Sequence, residues 1–225
     1  MNYSLNANEL NVHIIEKFYS ASEADDILRE LLEIPFEDIN VIVYGRSYTP
    51  KRKSYAFGDD GVNYRYSGTS NLAHPWTPMM LQMKQDVEAA TGKCFNYALV
   101  NFYKDGSCAI GMHKDSESSI DKSVGVTTIA FGASRRVTFT RSGYPSQWIN
   151  SGHGDLYQMM LPTNDLYYHG IRPDRTIKES RVSVSFRYSA PEEQLDPLQS
   201  TPDVSPQPEM SALSDPLPQH DSLQQ

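Results

Sequence analysis

Three groups of residues in this 225-residue chain have the types and spacing to do chemistry together. The first is His113-Lys114-Asp115. Residues two apart on an extended backbone face the same way, so an imidazole and a carboxylate at that spacing can grip one metal ion. The second is His169, inside Asp165-Leu166-Tyr167-Tyr168-His169-Gly170. A third ligand arriving from a distant strand gives two His and one carboxylate. That set is the facial triad of non-haem Fe(II) oxygenases, which leaves positions open for a cosubstrate and O2. The third group is Arg181-Val182-Ser183-Val184-Ser185-Phe186-Arg187. Even spacing puts both guanidiniums on one face of a strand, and two inward arginines need anionic partners because unpaired buried charge is costly. A dicarboxylate cosubstrate would satisfy them, since Arg binds carboxylates in bidentate fashion. Taken singly, each group has an ordinary explanation: a surface turn, a hydrogen-bonded core histidine, outward-facing arginines. Their joint order along the chain is much harder to dismiss.

Such a site needs a rigid scaffold, and the sequence supplies mostly strands. Val41–Tyr44, Tyr97–Tyr103, Val124–Phe131, Arg136–Thr140, Asp155–Leu161 and Arg181–Tyr188 are rich in β-branched and aromatic residues, and Gly, Pro, Asn and Asp separate them. Before most of these come two helices. Ser20 and Glu23 have capping-box spacing ahead of an apolar face formed by Ile27, Leu28, Leu31, Leu32 and Ile34. A second helix is expected from Thr77 to Thr91, with Pro78 in its first turn, Gly92 just past its end, and Met80, Met83 and Val87 toward the core. The expected class is α+β, with N-terminal helices packed on a sandwich or barrel.

The net charge of −8 argues at first against a nucleic-acid partner. It is unevenly placed. Ala190 to Gln225 carries seven acidic residues, seven of the 14 prolines and no Lys or Arg, which leaves the rest of the chain near −1. That stretch buries too little apolar surface to offset its ordering entropy, and it reads as a disordered tail after a domain spanning 1–189. No apolar run approaches the ~20 residues that cross a bilayer, so no membrane association is expected. Cys94 and Cys108 do not make a disulfide framework, and the N-terminus lacks a secretory pattern. An intracellular, reducing location follows as the expectation.

The motifs resemble those of the AlkB-type dioxygenases, which depend on Fe(II) and 2-oxoglutarate and remove alkyl groups from nucleic-acid bases. The likeness covers roughly residues 10–189. It is carried by Asn101-Phe102-Tyr103-Lys104-Asp105-Gly106, Gly111-Met112-His113-Lys114-Asp115-Ser116-Glu117, Phe131-Gly132-Ala133, Met160-Leu161-Pro162-Thr163 and Arg181–Arg187. It implies a double-stranded β-helix, or jelly roll, with a nucleotide-recognition lid at about 38–70. It implies Fe(II) on His113, Asp115 and His169, and 2-oxoglutarate on Asn101, Tyr103, Arg181 and Arg187, with O2 as the oxidant. The family often has Asn where this chain has Ser183, which puts one cosubstrate hydrogen bond in question; Ser185 replaces a common Thr and keeps the hydroxyl. The implied chemistry is oxidative decarboxylation to succinate and CO2, hydroxylation of an N-methyl group, and loss of formaldehyde.

An enzyme acting on a base must take it out of the stack. Tyr64 and Tyr66 match the lid aromatics of the family, and Glu117 an acidic residue that contacts the base edge. Asp38–Gly45 resembles the hydrophobic finger of the duplex-repairing members, with Val43 and Tyr44 at its apolar tip; apolar wedges of this kind offset lost stacking. On its residues alone the segment also reads as an edge strand. Arg46, Lys51, Arg52, Lys53 and Arg65 interleave with tyrosines and suit phosphate contacts plus stacking. Pro50-Lys51-Arg52-Lys53 also resembles a minimal nuclear-localisation string, so a nuclear location is expected if the source is eukaryotic. The expectation is a monomer that demethylates N1-methyladenine and N3-methylcytosine in DNA, duplex over single strand. Its rivals are an RNA demethylase with the same chemistry and a protein hydroxylase.

Overall fold

Alternation builds the sheets. In Leu10–Ile15, the residues Leu10, Val12 and Ile14 are buried while His13 is exposed, the period-two signature of a strand with one face on a core. The computed structural model describes residues 2–38, 40–43, 46–66, 69–115 and 119–190. In chain order its strands are β1 (Asn2–Ala7), β2 (Leu10–Ile15), β3 (Glu37–Asp38), β4 (Val41–Val43), β5 (Arg46–Tyr48), β6 (Lys53–Gly58), β7 (Asn63–Tyr66) and β8 (Thr69–Leu72). They continue with β9 (Tyr97–Tyr103), β10 (Ile110–His113), β11 (Val126–Gly132), β12 (Arg135–Thr140), β13 (Gln147–Ser151), β14 (Leu156–Met159), β15 (Tyr168–Ile171) and β16 (Arg181–Arg187). The helices are α1 (Ala21–Leu32), α2 (Pro78–Thr91) and the short α3 (Thr163–Leu166).

The larger sheet runs β1-β2-β14-β11-β16-β9-β6-β3 and the smaller β10-β15-β12-β13, antiparallel throughout. Two of the three hydrophobic clusters among the described residues flank the large sheet. One lies on the helix side of the large sheet, where Ala24 and Leu31 of α1 and Met80, Met83 and Val87 of α2 pack on Ile129, Phe131, Val182, Val184 and Phe186. The other lies between the sheets and joins Val126, Tyr157 and Met159 to Val137, Phe139, Ile149 and Ile171. This is the jelly-roll arrangement, with β16 presenting apolar residues to the helices and polar ones to the interior.

Both long helices start where local chemistry says they should. Ser20 accepts from the Glu23 amide and Glu23 accepts from the Ser20 amide, a complete capping box. Thr77 caps α2, and Gly92 ends it at φ 65°, a left-handed conformation that glycine adopts without steric cost. Two details differ from expectation. Leu32 is 42% exposed, because it lies at the edge of the face that Ala24 and Leu31 centre on the sheet. The helices also do not both precede the strands: α2 follows β8. No helix among the described residues is long and apolar enough to cross a membrane. The acidic tail from residue 191 onward lies outside the described residues.

Candidate metal centre and cosubstrate cavity

His113 ends β10 and His169 lies in β15, and the two are partners on one antiparallel rung. Gly170 permits that approach: a Cβ there would meet the Ile110 carbonyl oxygen at 2.8 Å and that of Gly111 at 2.9 Å. The imidazole centroids are 4.3 Å apart. Asp115, fully buried just past β10, brings its carboxylate oxygens to 3.7 Å from His113 Nε2 and 3.8 Å from His169 Nε2. All three ligand atoms lie within 4.8 Å of one another.

The donor set has the chemistry of a metal site. A carbonyl can only accept, so the 2.9 Å contact from His113 Nδ1 to the Gly111 carbonyl places the proton on Nδ1 and leaves the Nε2 lone pair toward the cluster. Burial, then the neighbouring His113, pushes His169 down to about 3, and burial lowers His113 as well, so both rings are neutral ligands. For Asp115, burial alone would raise the pKa; the Arg187 guanidinium and the two imidazoles outweigh it and hold the carboxyl at about 2. Arg187 Nη2 lies 3.2 Å from each Asp115 oxygen, and Nη1 donates to the Ser185 carbonyl at 3.2 Å. The Asp115 backbone is clamped by one side chain: its N–H donates to Asn164 Oδ1 at 2.9 Å, and Asn164 Nδ2 donates back to its carbonyl.

A narrow cavity opens from this cluster into the space between the sheets. Asn101, Tyr103, Ser183, Ser185 and Arg187 line it. Asn101 Oδ1 accepts from Ser54 Oγ at 2.8 Å and Arg52 Nε at 3.3 Å, which leaves its NH2 group as the donor for the cavity. Arg181 is 1% exposed. Its Nη1 donates to the carbonyls of Ala133 (3.1 Å) and Ser151 (2.7 Å), and Nη2 to Ser151 Oγ at 3.0 Å, while Nε finds no partner. Among the described residues no carboxylate forms an ion pair with it. A buried guanidinium with an orphan N–H calls for an anion, and 2-oxoglutarate fits that requirement.

The expected substrate residues fare unevenly. Val43 belongs to β4, which pairs with β5 in a hairpin whose register joins Val43 to Arg46. Tyr44, at the expected tip, and Glu117 lie outside the described residues. Tyr64 and Tyr66 belong to β7, paired with β8. Arg46 and Lys51 are exposed. Arg52 differs from the expected surface phosphate contact: it is 4% exposed and turned inward to Asn101, because the chain entering β6 runs alongside β9. Sequence reasoning missed Asn164, Ser54, Thr128 and Tyr157. A hydroxyl-bearing residue in phase with Ser183 and Ser185 was the one available signal for Thr128; Asn164 offered none.

The fold agrees with what the chain is similar to. The profile of the 2OG-Fe(II) oxygenase superfamily matches residues 11–187. The DNA oxidative demethylase ALKBH2 of Bos taurus is 32% identical over 186 residues, covering 77% of this chain and 67% of that one. The alpha-ketoglutarate-dependent dioxygenase alkB homolog 3 of Rattus norvegicus is 27% identical over 187 residues, covering 78% and 63%. The solved structure of OsALKBH1 superposes with a TM-score of 0.56 at 15% identity, covering 83% of this chain and all of that one.

Proposed function

The chain belongs to the 2OG-Fe(II) oxygenase superfamily, and from that premise we propose that it removes N-linked methyl groups from DNA bases by direct reversal. The observation that carries this reading is one cavity that holds the His113, Asp115, His169 cluster and is lined by Tyr103 and Tyr157, the phenols within electrostatic reach of the buried Arg181. Fe(II) with 2-oxoglutarate and O2 supplies the oxidising chemistry, which turns an N-methyl group into an unstable hydroxymethyl that leaves as formaldehyde, with succinate and CO2 as coproducts. The residues of this chain do the rest. His113, Asp115 and His169 hold the metal. Arg187 keeps Asp115 ionised and oriented. Asn101 and Tyr103 donate to the cosubstrate carboxylates, Ser183 and Ser185 line its walls, and Arg181 supplies the counter-charge.

The relatives named DNA oxidative demethylase support DNA as the substrate. Tyr64 and Tyr66 would stack on the extruded base and Glu117 would meet its edge. The likeness of Asp38–Gly45 to the finger of the duplex-repairing members supports duplex over single strand, and the pairing of β4 with β5 suits a segment that would enter the gap a flipped base leaves. The protein acts as a monomer on this reading, within a nucleus where the cell has one. The test is a panel of N1-methyladenine and N3-methylcytosine oligonucleotides as duplex DNA, single-stranded DNA and RNA, with formaldehyde and succinate both measured. Fastest release from duplex DNA is expected. Preference for RNA would overturn the substrate, and succinate without formaldehyde would overturn demethylation.

A further inference from the structure

The cavity has a polar wall that the roles above leave unused. Tyr157 of β14 is 7% exposed and lines the cavity with Tyr103, Thr128 and Ser185. Its register partner on β11 is Thr128, whose partner on β16 is Ser185. Side chains on one rung share a face. Thr128 Oγ1 and Ser185 Oγ are 3.0 Å apart, and the Tyr157 phenol stands next to Thr128 on the same rung. Either hydroxyl of the Thr128–Ser185 pair can be the donor, so those two satisfy one another and the phenolic hydrogen of Tyr157 is available to an acceptor in the cavity. Burial raises the Tyr157 pKa, so that hydrogen stays in place.

The charges say where the acceptor comes from. Arg187, at the metal end, is engaged with both oxygens of Asp115. Arg181 forms no ion pair among the described residues, Asp155 acting on it only at longer range, and the cavity-lining phenols within electrostatic reach of its guanidinium are those of Tyr103 and Tyr157. A dicarboxylate held at the metal by one end would find a counter-charge for the other at Arg181, on the side of these two phenols. Ser183 lines the same cavity on the rung of Ala130, but a single hydroxymethyl spans less of the space than a phenol entering from β14.

We propose that Tyr157 binds the distal carboxylate of 2-oxoglutarate by donating its phenolic hydrogen, beside the positive charge of Arg181. The proposal rests on the oxygenase reading and adds a residue that sets cosubstrate affinity and selectivity. Its test uses the full chain loaded with Mn(II), which binds without turnover, and calorimetric titration with two acids of equal length: 2-oxoglutarate, and 2-oxopentanoate, which lacks the distal carboxylate. Tyr157→Phe keeps the ring and removes only the donor. The expected result is about tenfold weaker 2-oxoglutarate binding, with 2-oxopentanoate binding and Mn(II) affinity unchanged. Equal 2-oxoglutarate affinity in parent and variant, or equal losses for both acids, overturns the proposal and leaves the oxygenase reading standing. A parent chain that binds neither acid overturns the oxygenase reading, and this proposal with it.

Discussion

Arg187 Nη2 is equidistant, at 3.2 Å, from both carboxylate oxygens of Asp115. The guanidinium therefore neutralises the whole carboxylate rather than one atom of it. Asp115 is fully buried, and a lone carboxylate there would be protonated or disordered. The pair thus makes an ionised ligand possible in an apolar interior, and it fixes the angle at which the oxygens meet the two imidazoles.

The first prediction follows. Arg187→Lys keeps a positive charge but loses the planar fork, so Asp115 is held less firmly. Metal affinity should fall about 10- to 100-fold, the usual range for partners that orient a metal ligand. Titration with Mn(II) monitored by electron paramagnetic resonance checks this. Undiminished affinity would mean that Asp115 is oriented by something else.

Asn164 provides the something else for the backbone. Its amide both accepts from and donates to the peptide groups of Asp115. Asn164→Ala strands a buried N–H and a buried carbonyl, at a cost of about 1–3 kcal/mol each when unsatisfied. The variant should unfold at lower denaturant than the parent and bind Mn(II) more weakly. Asn164→Asp should restore the N–H contact alone and recover part of the loss.

How legible this site was depends on how local its determinants are. Ser20 and Glu23, and Thr77 and Gly92, define their helices within a few residues, and the sequence reads them correctly. Tyr97–Tyr103 and Arg181–Arg187 are strongly patterned and were readable to the residue or close to it. By contrast β10 and β15 have four residues each, too few for a periodicity, and exist because they pair with one another. His113 and His169 were legible as ligand types, but the rung that joins them is a contact between residues 56 apart. Arg52 shows the opposite failure. In Pro50-Lys51-Arg52-Lys53 the charges look alike, and only the pairing of β6 with β9 decides which one is buried.

Capping supplies a control remote from the cavity. Ser20→Ala removes the acceptor for the Glu23 amide at the start of α1. Loss of such a cap costs about 1 kcal/mol, and the thermal midpoint should drop by a few degrees. Cosubstrate affinity should not change, because α1 packs on the helix side of the large sheet. A matching loss of 2-oxoglutarate binding would show that the two faces of the sheet are coupled.

The last prediction separates two neighbours of like charge. Lys51 is exposed, whereas Arg52 is buried with Nε on Asn101 Oδ1. If Lys51 meets a phosphate, Lys51→Ala weakens binding to DNA of any sequence and reduces the slope of log affinity against log salt by about 1. Its 2-oxoglutarate affinity stays at the parent value. Arg52→Ala leaves Asn101 with Ser54 as its one remaining acceptor-side contact and lets the amide turn. The expected result is weaker 2-oxoglutarate binding with an unchanged salt slope, since a guanidinium that never faces solvent releases no counterions from DNA. Fluorescence anisotropy over a salt series, paired with calorimetry of the cosubstrate, reads both axes. A reduced salt slope in Arg52→Ala would return that residue to the nucleic-acid surface, and with it the reading of the whole basic string as one phosphate-binding strip.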